Sequence, residues 1–270
     1  MDIVICAIAK NEHLYINDWI RYHFSIGFNH IYLFDNDDPG ALFIGDVISP
    51  EYRDRVTIFN VRGIRKQWFQ QECYNAFYQK YNKTFDWCAF VDIDEYVVVN
   101  AWNDVPEMLN DPVFNTCNSI KLHWHMYGDN DCIKRDLKIP VYDFFKKRII
   151  KPNDRLWLQG KQITRGGIVN ANIHNHNCFI NGQIIGQVTA DGTPCFEENN
   201  AIDVYGRVST RAFINHYMTK TLDEFLNQKF NRTDAMFERR NLGINYFWIL
   251  NEQTPEKLQY IAEWLKSKKV

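Results

Sequence analysis

Three carboxylates stand within four residues at the end of an apolar run. Asp92, Asp94 and Glu95 follow the run at 87–91, and three valines at 97–99 come after them. Placing this much negative charge at the end of a buried strand is costly unless a cation compensates it. A divalent cation with hard oxygen ligands is the simplest compensation. Asp92 and Asp94 point the same way if the strand continues through them, so their spacing predicts a metal site.

The first hundred residues alternate between strand and helix patterns. The hydrophobic periodicity predicts strands at 2–9, 30–34, 56–61 and 87–91 and helices at 12–25 and 66–81. This alternation predicts an α/β fold with a parallel, doubly wound sheet. In such sheets, ligands bind at the carboxyl ends of the strands, which is where the acidic residues stand.

Polar residues also follow the other predicted strands. Lys10, Asn11 and Glu12 follow the first strand, Asp35 follows the second, and Arg62 follows the third. We expect these strand ends to converge with the acidic residues at one edge of the sheet. The first strand is not followed by a glycine-rich dinucleotide motif or a P-loop, so the sequence predicts no backbone cradle for phosphate. A metal would have to hold a diphosphate instead, and this combination predicts a nucleotide-sugar site.

The pattern becomes mixed in the second half of the chain. The sequence predicts a strand at 119–127, helices at 105–109, 221–230 and 254–266, and loops over 166–210. We predict a single domain over 1–270. Within it, 1–114 would form the nucleotide-sugar-binding half, and 115–270 would form the acceptor-side half with the C-terminal helices.

The composition is that of an ordinary globular protein. Apolar residues make up 46% and charged residues 24% of the 270 residues. The net charge of −2 gives no basic excess for nucleic acid. Seven cysteines without Cys-x-x-Cys spacing favour reduced thiols in a cytosol over a disulfide framework or a zinc site. We recognise no signal peptide or membrane span, so we expect a cytoplasmic protein, with peripheral contact at the inner face of the membrane as the alternative.

Several motifs between residues 3 and 230 resemble glycosyltransferases of the family 92-like group, relatives of family 2, of a bacterial type. The motifs are Lys10-Asn11-Glu12, Trp19-Ile20-x-Tyr22-His23, Gly27-Phe28-x-His30 through Asn36, Asp92-Ile93-Asp94-Glu95-Tyr96, Lys147 to Pro152 followed by His174, and Ile214-Asn215-His216-Tyr217 before Phe225 and Lys229. Where the family usually shows Trp-x-x-Phe-Gly, this chain has Trp124 to Gly128 with Tyr127 before the glycine. That departure lies in the part expected to face the acceptor.

The resemblance implies a GT-A fold, which is a Rossmann-like, mostly parallel central sheet flanked by helices, here with a mixed acceptor-side half. It implies a nucleotide-diphosphate sugar donor, with a UDP-sugar expected, and Mn²⁺ or Mg²⁺ as cofactor. The family is inverting, so a single carboxylate base on the acceptor side would take the hydroxyl proton. The acceptor would be a glycan or a lipid-linked molecule, in the synthesis of surface polysaccharide or lipopolysaccharide.

The expected metal ligands come from three regions. Asp94 and Asp92 follow the fourth strand, and Asp92 could instead hold the donor ribose. The resemblance adds His216 as a distant ligand. His174 is a weaker candidate in the polar sequence His174-Asn175-His176, where phosphate contact or simple solvation are the alternatives. For Glu95, capping of the next turn and orientation of a ligand remain open.

The expected donor-binding residues are at the ends of the first three strands. Asp35 is at the position that contacts uracil or ribose in this fold. Lys10, Asn11 and Glu12 should border the nucleotide, although Glu12 could equally favour the dipole of the following helix. Arg65 and Gln71 could reach the diphosphate or the donor sugar, with surface or packing roles as the alternative.

The catalytic base is expected in the acidic loops of the acceptor-side half. Asp129 is the first candidate and Asp131 the second, because both follow the strand at 119–127. Asp191 is the third. Acidic loop residues are usually solvated, and this remains the alternative for each of them.

The stretch at 144–165 is locally basic and includes Lys147, Arg148, Lys151 and Lys161. The first three could bind phosphates or a lipid-linked acceptor, and a solvated basic face is the alternative. Two other functions use the same residues. One is a nucleotidyltransferase or phosphohydrolase with the same acidic metal site, and the other is a non-catalytic carbohydrate-binding protein with an aromatic cleft.

Overall fold

The structure is a computed structural model, and it describes residues 1–149, 159–195, 209–230 and 243–268. The strands in these ranges are β1 (Ile3–Ala9), β2 (His30–Asp35), β3 (Val56–Asn60), β4 (Trp87–Phe90), β5 (Glu95–Val99), β6 (Ser119–Tyr127), β7 (Arg148–Ile149), β8 (Gly160–Arg165), β9 (Ala171–Ile173), β10 (Cys178–Ile180), β11 (Gln187–Thr189) and β12 (Ala212–His216). The α-helices in these ranges are α1 (Ile16–Ser25), α2 (Ile44–Val47), α3 (Phe69–Tyr81), α4 (Val105–Leu109), α5 (Val141–Phe144), α6 (Leu222–Gln228), α7 (Ile244–Trp248) and α8 (Pro255–Ser267).

The first half of the chain forms the parallel part of the main sheet. Its strands lie in the order β3-β2-β1-β4, and all neighbours are parallel. The predicted strands are confirmed to within a residue or two at each end. Helices α1 and α3 begin three or four residues later than predicted. For α3 the reason is Trp68 (φ 61°), whose left-handed backbone cannot belong to an α-helix.

The second half of the chain extends the sheet with mixed strand directions. Strand β8 runs antiparallel to both β4 and β6, whereas β12 is parallel to β6 and antiparallel to β5. The carboxyl ends of β1, β4, β6 and β12 therefore meet the amino ends of β5 and β8 at one edge, which we call the C-terminal edge. The predicted fold class is confirmed in its architecture, which is an α/β fold with a Rossmann-like, mostly parallel sheet flanked by helices and with a mixed second half.

The prediction of loops over 166–210 is wrong at three short strands in the described part of this range. Strands β9 and β10 form an antiparallel hairpin, and β11 pairs with β6. Each of these strands has three residues, too few for a periodic hydrophobic pattern to reveal. Ala171, Ile173 and Cys178 pack in one hydrophobic cluster with residues of α3. The hairpin therefore lies on the same side of the sheet as α3.

In the second half of the chain, α6 and α8 begin where their capping residues predict. The Thr221 side chain accepts a hydrogen bond from the Glu224 N–H and forms a full capping box at the start of α6. Thr254 caps α8 in the same way through the Lys257 N–H. The short helix α7 was not predicted. None of the helices in the described ranges has the length and apolar character needed to cross a membrane.

Candidate active site

The acidic residues lie in a tight turn between two strands. Strand β4 ends at Phe90 and β5 begins at Glu95, so the expectation of a continuing strand through Asp92 and Asp94 is wrong. The Glu95 N–H donates to the Asp92 carbonyl at 3.1 Å, and the Asp92 N–H donates back to Glu95 Oε2 at 2.8 Å. We call residues 91–95 the acidic turn. Its shape comes from these reciprocal hydrogen bonds rather than from strand pleating.

Two neighbouring elements fix the backbone of the acidic turn. The fully buried Trp19 of α1 donates its indole N–H to the carbonyl oxygens of Asp92 (3.1 Å) and Glu95 (2.8 Å). On the other side, the Tyr217 N–H donates to the Asp94 carbonyl at 2.9 Å, directly after β12. The positions of the two aspartates are therefore set by α1 and β12 together.

The Asp92 side chain is held by α3 and β8. Gln70 Nε2 donates to Asp92 Oδ1 at 2.5 Å, and Lys161 Nζ donates to Oδ2 at 2.8 Å. The Lys161 side chain is only 2% exposed, whereas that of Asp92 is 33% exposed and is the accessible member of the pair. Burial raises the pKa of Asp92, but the Lys161 ammonium outweighs it and holds this pKa below its usual value.

The Asp94 side chain faces residues at and beyond the end of β12. Lys229 Nζ donates to Asp94 Oδ2 at 2.5 Å and to the Met218 carbonyl at 2.6 Å. His216 Nε2 lies 3.6 Å from Asp94 Oδ1, beyond hydrogen-bond distance. Burial raises the pKa of Asp94, but Lys229 and His216 together hold it well below its ordinary value.

Glu95 has the opposite character. Its side chain is fully buried, and Lys161 Nζ lies 3.8 Å from Oε2. Burial raises the pKa of Glu95 well above its usual value, and the neighbouring charges of Asp92 and Asp94 raise it further. Of the two roles left open for Glu95, the structure shows the capping one, because Oε2 accepts the Asp92 N–H.

A third lysine lies beside the acidic turn. Lys220 is 3% exposed, and its ammonium lies 4.0 Å from the centre of the Tyr15 ring. Burial lowers its pKa, while Glu12 and Asp94 act in the opposite direction. We call Lys161, Lys220 and Lys229 the lysine triad. These ammonium groups pair with the carboxylates or lie close to them, and the predicted divalent cation stays a prediction.

The lysine triad is the main feature that the sequence did not reveal. Lys161 stood within the locally basic stretch at 144–165 and Lys229 within a family motif, and neither was assigned to the acidic residues. The antiparallel register of β4 and β8, with Phe90 opposite Gln162, brings Lys161 to the C-terminal edge. One signal was available, since Lys161 stands beside apolar and uncharged residues in Gly160-Lys161-Gln162-Ile163.

The side chains beside the acidic turn fit a metal only in part. In the described ranges, no three His, Cys, Asp or Glu side chains converge into a metal site. Asp94 Oδ1 and His216 Nε2 face each other, and His216 Nδ1 is a buried nitrogen with no hydrogen-bond partner in those ranges. Mg²⁺ is usually held by one or two carboxylates together with water and substrate phosphates. These residues therefore fit an ion whose ligand shell a diphosphate completes, and not one held by protein alone.

The other predicted metal ligand, His174, lies in the β9–β10 hairpin. Its ring packs at 4.5 Å from that of Phe179, and its carbonyl accepts a hydrogen bond from Gln162. His176 lies closer to the acidic turn, since its ring contacts that of Trp124 at 5.5 Å and Trp124 contacts His216 at 4.6 Å. Burial lowers the pKa of His176 to about 3, helped by Lys161 and Lys121.

The predicted donor-binding residues lie at the ends of the parallel strands. Asp35 is buried, with Arg62 Nε at 3.6 Å from Oδ2. Burial raises its pKa above the usual value, although hydrogen bonds from backbone N–H groups and Arg62 oppose the shift. The Asn11 N–H donates to Asp37 Oδ1 at 2.6 Å, which joins the ends of β1 and β2. Glu12 is buried and Lys10 half-buried beside them.

Arg65 and Gln71 have contacts with residues outside the acidic turn. Arg65 is exposed and forms an ion pair with Asp38. The Gln71 carbonyl accepts a hydrogen bond from the Asn75 side chain, and it is the preceding Gln70 that contacts Asp92. Their predicted contact with the donor stays a prediction.

The two leading candidates for the base have contrasting surroundings. Asp129 is buried with its Oδ2 2.5 Å from Lys257 Nζ, and both side chains are 2% exposed. Asp131 has a 58% exposed side chain and pairs with Lys147 at 2.7 Å. Both follow β6 at the C-terminal edge, the same edge as the acidic turn. The role of each as a base stays a prediction, and the accessible carboxylate is that of Asp131.

The remaining predicted residues lie around this region. Asp191 is exposed in the turn after β11, and its N–H donates to Thr189 Oγ1 at 3.3 Å. Arg148 is exposed in β7, opposite Tyr127 of β6. Lys151 lies outside the described residues. Their predicted roles are neither supported nor contradicted by these positions.

Comparison with known proteins gives only distant structural neighbours. No protein-family model and no curated protein matches the chain in sequence. The apo structure of the bifunctional glycosyltransferase WbbM matches at 11% identity and a TM-score of 0.29, over 45% of this chain and 23% of that one. The galactosyltransferase LgtC, in a complex with donor and acceptor sugar analogues and as an active-site mutant, matches at 15% identity and a TM-score of 0.27, over 46% of each chain.

This chain therefore spans less than half the length of each of those solved chains. All three are glycosyltransferases by description, but TM-scores this low carry no weight for the function of the chain. The resemblance to family 92-like enzymes, like the bacterial type, stays a prediction.

Proposed function

We propose that the protein is a glycosyltransferase that moves a sugar from a nucleotide-diphosphate donor, with a UDP-sugar expected, to a glycan or lipid-linked acceptor. The observation that carries this proposal is the convergence of Asp92, Asp94, His216 and the lysine triad at the C-terminal edge. Parallel α/β sheets bind their ligands at this edge. A diphosphate at this edge would meet carboxylates and ammonium groups together, rather than a glycine-rich loop.

The proposed donor site has a division of labour between its residues. Asp94 and His216 would hold Mn²⁺ or Mg²⁺ together with the diphosphate, and Asp92 would stand beside them. When bound, the metal would act as a Lewis acid that stabilises the negative charge on the leaving diphosphate. Lys220 and Lys229 are cations close to Asp94 and would add to that stabilisation. Asp35 and the residues Lys10 to Glu12 would border the nucleotide.

The proposed acceptor site lies beyond the end of β6. An inverting transfer requires one carboxylate that removes the proton from the acceptor hydroxyl as the new bond forms. Asp131 is the accessible candidate, and its pairing with Lys147 orients the carboxylate. Asp129 is less suited because its oxygen is already engaged by Lys257 in a buried pair.

A thermal-shift screen tests the proposal directly. The protein is heated with a panel of nucleotide sugars, each with Mn²⁺ and with EDTA, and one donor should raise the unfolding temperature only when Mn²⁺ is present. Binding at a hundredfold excess over Kd stabilises the folded state by about 2.7 kcal/mol. The selected donor is then used to measure sugar transfer or donor hydrolysis.

Asp94→Asn should lower the transfer rate on the order of 100-fold or more, because it removes a charge that the diphosphate site needs. Asp54→Asn is the matched control, because Asp54 is exposed and precedes β3 at the opposite edge of the sheet. Full turnover in Asp94→Asn would contradict the assignment. Release of pyrophosphate from nucleoside triphosphates would instead indicate a nucleotidyltransferase, and glycan binding without any nucleotide binding a carbohydrate-binding protein.

A further inference from the structure

Lys229 occupies the oxygen atom that a metal ion bound to Asp94 would compete for. Its ammonium is 2.5 Å from Asp94 Oδ2, whereas His216 Nε2 is 3.6 Å from Oδ1. The same ammonium also donates to the Met218 carbonyl, which holds it in place. Asp94 Oδ2 is thus paired with a lysine, and the histidine neighbour lies farther from the other oxygen.

Each aspartate of the acidic turn already has a cationic partner without any ligand. Asp92 pairs with Lys161 at 2.8 Å, and Asp94 pairs with Lys229 at 2.5 Å. A divalent cation that entered alone would add uncompensated positive charge to a poorly solvated site. A diphosphate that entered alone would add uncompensated negative charge. The two together nearly cancel, so the site favours them as a pair.

We propose that Lys229 acts as a placeholder, because it holds the Asp94 oxygen that a metal would bind. When the metal and the nucleotide enter together, Lys229 leaves Asp94 and pairs with the donor diphosphate. This inference rests on the proposed function and adds a regulation of the same site. It follows that the metal and the nucleotide bind cooperatively, and that neither ligand alone displaces the lysine from the aspartate. A donor that binds without metal would then leave Lys229 paired with Asp94. So would a metal that binds without donor.

Lys229 is better suited to this exchange than Lys161. The Lys161 side chain is 2% exposed and lies between Asp92 and Glu95, so it has no direction in which to move. The Lys229 side chain is 13% exposed and belongs to the C-cap residue of the short helix α6. Its ammonium stands on a flexible four-carbon stem, which allows the head group to reach a new anion without moving the backbone.

Isothermal titration calorimetry with Mn²⁺ and UDP tests the inference, with another nucleoside diphosphate in place of UDP if the donor screen selects one. In the wild type, Mn²⁺ alone should bind weakly, and saturation with UDP should tighten Mn²⁺ binding by about tenfold or more. By linkage, Mn²⁺ must tighten UDP binding by the same factor. Lys229→Met should bind Mn²⁺ alone about tenfold more tightly than the wild type and bind UDP more weakly, so the coupling shrinks.

Two further variants control this experiment. Lys229→Arg keeps a cation at the position and should exclude free Mn²⁺ as the wild type does. Lys80→Arg changes an exposed lysine in the last turn of α3, which leads to the amino end of β4 at the opposite edge of the sheet, and should leave both affinities unchanged. Equal or weaker Mn²⁺ binding in Lys229→Met would overturn the inference. So would tight Mn²⁺ binding to the wild type without nucleotide, a result that needs no variant to fold.

Failure of the inference is distinguishable from failure of the proposed function. If UDP and the other nucleotides do not bind the wild type with or without Mn²⁺, the proposed function is wrong. If a nucleotide binds but Mn²⁺ does not change its affinity, the donor site stands and the placeholder role of Lys229 is wrong.

Discussion

Two aspartate–lysine pairs in this protein have the same contact distance but different surroundings. Asp94–Lys229 and Asp129–Lys257 each have a nitrogen–oxygen distance of 2.5 Å. We call the Asp129 pair closed, because further hydrogen bonds hold both partners in place. The Asp129 N–H donates to Asn251 Oδ1, the Asp131 N–H donates to Asp129 Oδ1, and Lys257 Nζ also donates to the Glu252 carbonyl. We call the Asp94 pair open, because His216 Nε2 lies 3.6 Å from the second carboxylate oxygen, Asp94 Oδ1, and could share a cation with it.

The difference between the pairs lies in what surrounds each carboxylate. Asp129 connects the loop after β6 to the first turn of α8, so its charge ties two parts of the fold together. Asp94 lies at the C-terminal edge among three lysines and a histidine, so its partner can be exchanged for another cation. A buried ion pair is therefore no guide to function by itself. What matters is whether the groups around it offer the carboxylate an alternative.

Breaking the closed pair should have the largest effect on stability. Asp129→Asn leaves the Lys257 ammonium buried without its carboxylate, and removal of one partner of a buried pair costs about 3–5 kcal/mol. The free energy of unfolding in urea should fall by that amount. The double variant Asp129→Leu with Lys257→Met should recover most of it, because an apolar pair leaves no unpaired charge.

Asp131→Asn is the matched control for this prediction. Its pair with Lys147 is exposed, so the loss of stability should be only about 0–1 kcal/mol. If Asp131 is the base, the same substitution nevertheless lowers the rate of transfer. Wild-type stability in Asp129→Asn would show that its pair with Lys257 does not anchor α8.

Lys161→Met should have the next largest effect. It strips the buried cation from Asp92, but Asp92 is one-third exposed and keeps its hydrogen bond from Gln70. We therefore expect a loss of about 2–3 kcal/mol, below the range for a fully closed pair. A double-mutant cycle with Asp92→Asn should give a coupling energy between about 0.5 and 3 kcal/mol. Additive effects of the two substitutions would show that the contact does not stabilise the fold.

The sequence predicts the secondary structure of this protein better than the partners of its charges. The strands β1 to β4 and β6 follow from local hydrophobic patterns, and the starts of α6 and α8 follow from Thr221 and Thr254. The carboxylates of the acidic turn could also be placed at the C-terminal edge, because parallel strands share that edge. These features depend on short stretches of sequence and on a general rule of topology.

The partners could not be predicted because they depend on register over long distances. Lys161 is 69 residues from Asp92, and Lys229 is 135 residues from Asp94. The first contact depends on the antiparallel alignment of β8 with β4, and the second on where the chain goes after β12. No local pattern encodes either. The turn at Asp92 to Glu95 was missed for a related reason, because Glu95 pairs across to His216 rather than continuing β4.

Removal of the exchangeable lysine should destabilise the protein less than removal of Lys161. Lys229→Met should cost about 1–2 kcal/mol without ligands, between the values for exposed and buried pairs, because Lys220 and His216 remain close to the Asp94 carboxylate. Addition of Mn²⁺ should recover more stability in this variant than in the wild type, since a ligand that binds the folded state stabilises it by mass action. Urea denaturation with EDTA and with Mn²⁺ measures both effects. Identical Mn²⁺ responses would contradict the contrast between an open and a closed pair.

The smallest effect is expected at Glu95, the fully buried carboxyl group of the acidic turn. Burial raises its pKa well above the usual value, so the folded protein holds a proton there that the unfolded chain releases. A group of this kind contributes less stability as the pH rises above its unfolded pKa of about 4.5. Glu95→Gln has the same shape, accepts the Asp92 N–H in the same way and needs no proton. In EDTA its unfolding free energy should lie within about 1 kcal/mol of the wild type near pH 4.5, and the variant should become relatively more stable toward pH 8. The opposite trend with pH would mean that Glu95 is ionised in the folded protein and that the lysine triad balances three carboxylates instead of two.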